Sequence, residues 1–174
     1  MAQVRHYEYT GFTIVELLIV MVILGIVVAI GYPGMQKQIA QQRLKEAVNI
    51  TETMLKQARS DALISRSEVQ SVIVPTTATS AASITLTQSI GTTPNTQNKT
   101  YNPNILITAS GMPTTIRFNS EKRVYQGTTG TTALATADST SGYYFCYKGV
   151  SSDKYQLTVD AMTNVRVVKT GVCS

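Results

Sequence analysis

Histidine is all but missing from this 174-residue chain, where His6 is the only one. A Ser–His couple or a histidine metal site therefore has almost nothing to be built from. Cysteine is nearly as scarce. Cys146 and Cys173 are the only two, and they match no metal-ligand or CxxC spacing. One disulfide is the simple reading, with two unrelated buried thiols as the alternative. The bridge would close a loop of 28 residues (173 − 146 + 1), worth about 3 to 4 kcal/mol from loop-closure entropy, and it implies an oxidising compartment. The carboxylates Asp61, Glu68, Glu121, Asp138, Asp153 and Asp160 are scattered, and no glycine pattern forms a phosphate loop. They read as solvated surface, so neither enzyme chemistry nor a metal or cofactor is expected. There is also no run of Lys or Arg. The formal net charge of +5 and pI near 9.3 come from 15 dispersed basic residues, which argues for a mildly basic surface before a nucleic-acid interface.

What the chain has instead is one long apolar run. Phe12 to Tyr32 is 21 residues (32 − 12 + 1), about 31 Å as a helix, against a hydrocarbon core of about 30 Å. A short polar segment, MAQVRHYEYTG, precedes it, and its Arg5 and Glu8 cancel. A secretory signal peptide would have a positive start and an apolar stretch without charge. Ala29 and Gly31 imitate a cleavage site, but Glu16 at the edge of the run argues against one. A carboxylate at depth in a bilayer costs about 2.5 to 3.5 kcal/mol, and no Lys or Arg within the run can partner it. A cut after Gly11 would supply a partner. The new α-amine of Phe12, cationic at neutral pH, would stand four residues before Glu16, one helical turn, and could meet that acid in its own chain or in a neighbour.

Gly11-Phe12-Thr13-Ile14-Val15-Glu16 followed by an aliphatic run resembles the processing signal of type IV pilins and type II secretion pseudopilins. The resemblance implies that prepilin peptidase cuts after Gly11 and methylates Phe12, and that Glu16 guides packing into a filament. It also implies that Pro33 kinks or locally melts the helix near Gly31 to Gly34. The same cut would remove His6. Charge does not settle orientation, because Arg5 and His6 precede the span while Lys37, Arg43 and Lys45 follow it. The resemblance places the leader in the cytoplasm, the head in the periplasm, and the assembled subunit in a surface pilus.

Beyond Gly34 the apolar positions Met35, Ile39, Leu44, Val48, Leu55, Ala58 and Ala62 recur at near-helical spacing, so the helix should resume and run to about Ser65. Glu52 and Lys56 add an i,i+4 pair. Alternation then predicts strands at 68–74, 83–87, ILIT, TIRF and RVYQ, with a hairpin turning at Asn119 to Glu121. A final three-strand meander should turn at Gly149 to Asp153 and at Ala161 to Asn164. Residues 88–104 and 127–142 read as polar loops. The expected fold is α+β, a long N-terminal helix packed by its second half on an antiparallel sheet. Its parts are a leader at 1–11, a membrane and filament-core helix at 12–34, an amphipathic continuation at 35–66, and a β-rich head at 67–174.

A narrower likeness lies in Ala58-Arg59-Ser60-Asp61-Ala62 entering the first strand, which is similar to GspH/FimT-type minor pilins with Asp in place of Glu, and the C-terminal strand pair looks like that family too. Three roles follow: a minor pilin that primes pilus assembly with other minor and major pilins, a DNA-binding minor pilin for natural transformation, or a type II secretion pseudopilin. For DNA, the family implies a Gly-Arg-x-Arg motif in the last strand turn. Here Asn164 replaces the glycine, as it can where a left-handed backbone is needed, and Val165 and Val167 occupy the arginine positions. Arg166 should point to the opposite face. A phosphate-contacting patch would have to come from Arg166, Lys169, Lys148 and Lys154, with exposed polar positions on a half-buried sheet as the preferred reading.

Overall fold

The computed structural model describes residues 11–90, 93–130, 132–134, 140–149 and 152–173. Helix α1 (Ile14–Ser65) is followed by β1 (Val69–Val74), β2 (Ser83–Ile90), β3 (Thr93–Thr100), β4 (Ile105–Ser110), β5 (Thr115–Phe118), β6 (Val124–Gln126), β7 (Gly142–Tyr147), β8 (Ser152–Val159) and β9 (Val165–Cys173). The chain divides into two compact units, Met1–Gln36 and Lys37–Ser174.

In the first unit, Thr13 caps the helix. Its carbonyl accepts the N–H of Leu17 at 3.2 Å and its hydroxyl accepts the N–H of Glu16 at 3.2 Å, filling two places that a helix start otherwise leaves open. From there the aliphatic side chains through Ile30 stand exposed. This helix contains a stretch long and apolar enough, by length and composition, to cross a membrane. The helix continues without interruption through Gly31–Gly34, so the local melting expected at Pro33 does not occur. Proline removes one N–H from the ladder, and the bonds on either side of that gap are enough to carry the helix past it.

In the second unit the helix buries one stripe. Ala40, Leu44, Ala47, Val48, Thr51, Met54, Leu55, Ala58 and Ala62 are buried, at the three- and four-residue steps that keep side chains on one face. Met35 and Ile39, expected in that stripe, are exposed; core packing begins at Ala40. The helix stops at Arg66, which takes a left-handed φ of 50°, the conformation that commonly closes a helix C-terminus. The Ser65 hydroxyl donates to the Asp61 carbonyl and receives Gln88 Nε2 at 2.9 Å.

The strands form two antiparallel sheets where one was expected, ordered β3-β2-β1-β5-β6 and β4-β7-β8-β9. Helix and sheets share one core in which Phe118, Tyr143, Phe145 and Leu157 are fully buried, each large apolar side chain worth about 1.5 to 3 kcal/mol. The β5–β6 hairpin turns as predicted: Asn119 Oδ1 accepts the N–H groups of Glu121 and Arg123 at 3.1 and 2.9 Å. The 88–104 loop is not a loop throughout. β2 extends to Ile90 and β3 pairs with it from Ser83↔Thr100 to Ile90↔Thr93. Because β3 exposes its side chains from Pro94 to Thr100, no alternation betrays it, and only the ladder to β2 defines it. In 127–142, Ala133 bridges to Tyr125; residues 131 and 135–139, like residues 150 and 151 of the Gly149–Asp153 turn and most of the leader, lie outside the described residues.

Candidate functional site

The motif at the head of α1 is built from a short extended entry and a capped first turn. Gly11, Phe12 and Thr13 precede the helix, so the Gly11–Phe12 bond lies outside it, and Phe12 is 82% exposed. Phe12 stands just before the cap. The first helical residue is Ile14, two positions after Phe12. Glu16 is the acid of the first turn, where the partial positive charge of the helix start favours an anion.

At the other end of the chain, Cys146 and Cys173 form a disulfide with Cα atoms 5.7 Å apart. It joins β7 to β9 although β8 lies between them in the sheet. β8 pairs with β7 only over Tyr143 to Phe145, and the β8–β9 register shifts at Lys154/Tyr155. Past that bulge the end of β9 reaches the end of β7.

The four cations considered for phosphate contact are not gathered in one place. Arg166 pairs with Thr158 in register and is exposed, while Val165 and Val167 pack against the core, so the predicted opposite facing holds. Lys154 lies on that same outward face, with its ammonium 4.6 Å from the centre of the Tyr144 ring. Lys169 is on the other face, bound to Asp153 at 2.8 Å; this bond holds the Asp153 carboxyl below its ordinary range and the Lys169 ammonium above it. Lys148 lies past the end of β7 and binds the Asn104 carbonyl through its backbone N–H at 2.7 Å.

The β8–β9 turn differs from expectation. Thr163, not Asn164, takes the left-handed conformation, with φ 68° in a buried position, a costly choice for a β-branched residue. Asp160 makes it tenable. Its carboxylate accepts the N–H groups of Met162 and Asn164 at 2.9 and 2.8 Å and the Asn164 side-chain amide at 2.8 Å. Burial pushes this carboxyl up, but the Asn164 and Met162 bonds outweigh it and leave the pKa lowered.

A second residue that sequence reasoning missed is Arg117, a buried cation in β5. It donates to the carbonyls of Gly127, at 2.9 Å, and Gly130, and to both oxygens of Glu68 at 2.9 Å. Its surroundings in sequence, Ile116 and Phe118, carry no signal of these partners. A cleft of about 630 Å³ opens between the β5–β6 and β8–β9 turns, with Glu121, Lys122, Arg123, Val124, Met162 and Asn164 among its lining residues. Among the described residues, no three His, Cys, Asp or Glu side chains converge to hold a metal.

Compared with known families, residues 9–32 match the model of the prokaryotic N-terminal methylation motif. No curated protein and no solved structure gives a match. Heading a long helix whose second half packs on antiparallel sheets, that motif marks the chain as a type IV pilin-like protein.

Proposed function

We propose that the protein is a minor pilin of a type IV pilus, anchored in the inner membrane by its first helical segment with the head in the periplasm, cleaved after Gly11 by prepilin peptidase, methylated on Phe12, and drawn into the filament with other pilins to prime assembly. The observation that carries this reading is the methylation motif set on the apolar first part of α1, whose large side chains are exposed among the described residues. Such a surface needs lipid before assembly and neighbouring helices afterwards. A GspH/FimT-type subfamily is supported by the Ala58–Ala62 segment, whose two alanines are buried just before α1 hands over to β1. Glu16→Ala is expected to leave membrane insertion intact and to lower incorporation into sheared pili. Equal incorporation would remove the assembly role, and a native chain still beginning at Met1 by mass spectrometry would remove the pilin reading. Deletion that spares pili but abolishes protein secretion would favour a type II secretion pseudopilin. For the DNA-uptake alternative, Lys154 and Arg166 are the cations that share one face; a mobility shift that weakens with salt and is lost in the double alanine variant would support it.

A further inference from the structure

The 15 basic residues are dispersed along the sequence but not in the folded second unit. Helix α1 enters this unit with Lys37, Arg43 and Lys45, all exposed, and the strands bring further cations beside them. Arg43 donates to the Tyr147 hydroxyl at 3.4 Å, as does the Asn104 side-chain amide. Lys148 follows, fixed by its backbone N–H on the Asn104 carbonyl at 2.7 Å. Lys99, near the end of β3, shares with Arg43 a pocket of about 400 Å³ that Glu46 and Asn102 also line. Asp153 and Lys169 belong to the same end, where the charge of Lys45 helps Lys169 to hold the Asp153 carboxyl low.

Six cations thus stand where α1 enters the head, against the two acids Glu46 and Asp153, a balance of +4 (6 − 2) within a formal net charge of +5 for the chain. Asp153 is already taken by Lys169 at 2.8 Å. Among the described residues no ion pair engages the other five cations. The loops that complete this end, 75–82 and 101–104, hold no acid. Position then selects the partner. Lys37 lies five residues past Tyr32 (37 − 32), at most about 18 Å of chain. Whatever the angle between the two units, this end of the head is tethered beside the surface of any bilayer that the apolar segment spans. Headgroup phosphates are then present at high effective concentration, an advantage that a polyanion in solution lacks. With the head in the periplasm, these cations run against the usual cytoplasmic bias of basic residues next to a span, so orienting the chain does not account for them.

We propose that the end of the head where α1 enters is a docking surface for the headgroups of anionic phospholipids, holding the head against the membrane before the subunit is drawn into a filament. Arg43 and Lys99 line one pocket and would bracket a headgroup phosphate. Lys37, Lys45 and Lys148 add charge that an anionic surface feels within a Debye length, about 8 to 10 Å. The assignment rests on the membrane-anchored minor-pilin reading, and the test separates the two.

The full chain is placed in nanodiscs of phosphatidylcholine, alone or mixed with phosphatidylglycerol. A photo-crosslinking amino acid replaces either Thr100, exposed beside Lys99, or Ser120, exposed in the β5–β6 turn at the far end of α1. The expected product is a phospholipid adduct at Thr100, read by mass spectrometry, with a yield about fivefold higher in the anionic discs, the factor that one basic residue near an anionic surface contributes. High salt should bring that yield down to the neutral level. So should the triple variant Lys45→Gln, Lys99→Gln and Lys148→Gln, whose altered side chains are exposed and should leave the thermal melt unchanged. Equal yields in the two lipids mean tethering alone and overturn the proposal. So do equal yields from Thr100 and Ser120, a yield that the triple variant keeps, or no adduct from protein that has entered the discs. A DNA mobility shift in neutral discs that the triple variant loses, without charge-dependent lipid adducts, gives this end to nucleic acid and overturns it too. A chain that does not enter the bilayer refutes the membrane-anchored reading itself, and the docking surface with it.

Discussion

Tyr101 sits in the core with its hydroxyl 2.6 Å from that of Thr51, and Thr51 in turn donates to the Ala47 carbonyl at 2.8 Å. The tyrosine therefore donates to the threonine. Burial pushes its pKa up to about 12, outweighing the Thr51 contact. Between pH 10 and about 12 the folded state then keeps a proton that the unfolded chain gives up, so stability falls as pH rises through this window. The loss from this residue is about 2 to 3 kcal/mol. Tyr101→Phe should cost about 1 kcal/mol at neutral pH for the lost bond and flatten the alkaline fall, as read from urea midpoints against pH; Tyr143, also raised by burial, leaves a remainder. Ser71 is the opposite case. Its hydroxyl is buried without a partner, so Ser71→Ala should be neutral or stabilising by up to about 1 kcal/mol in thermal unfolding. Neither role was visible beforehand, because both depend on what faces the hydroxyl across the core. Glu16 was legible, since its signal lies in the residues on either side of it. The capping by Thr13 was not drawn from the same letters, although the Thr-x-x-Glu pattern is a recognised helix-start signature.

Strands were found where expected: β1, the first part of β2, β4, β5, β6 and the β7–β8–β9 meander are rich in β-branched, aliphatic and aromatic residues. β3 was not foreseen, because its side chains from Pro94 to Thr100 meet water and show no alternation; its existence is a property of its register with β2. The disulfide was foreseeable from a count of two. Its geometry was not, since it spans an intervening strand and depends on the bulge between β8 and β9. Replacing Cys173 with Ser is expected to cost about 3 to 4 kcal/mol, measured by denaturant titration of the oxidised parent against the variant. Loss should be concentrated at the β9 end, with faster amide exchange from Gly171 to Cys173 than in β1, because the helix and the first sheet bury their core without the bridge.

Among the described residues, every core residue lies at Ala40 or later, and the apolar side chains from Phe12 to Met35 are exposed. A chain beginning at Lys37 should thus be soluble and folded, melting within about 3 °C of the full chain in detergent, by circular dichroism and size exclusion. Aggregation or a molten spectrum would show that the head needs the first unit. Local order along the chain was enough to establish the apolar helix, the processing motif at its head and most strands, because helix and strand periods and a cleavage motif are written in neighbouring residues. The division into two sheets, the burial of Arg117 against Glu68 and the separation of Lys169 from Arg166 came only from the fold. Each of these depends on which distant segments are set side by side, and no stretch of sequence carries that information alone.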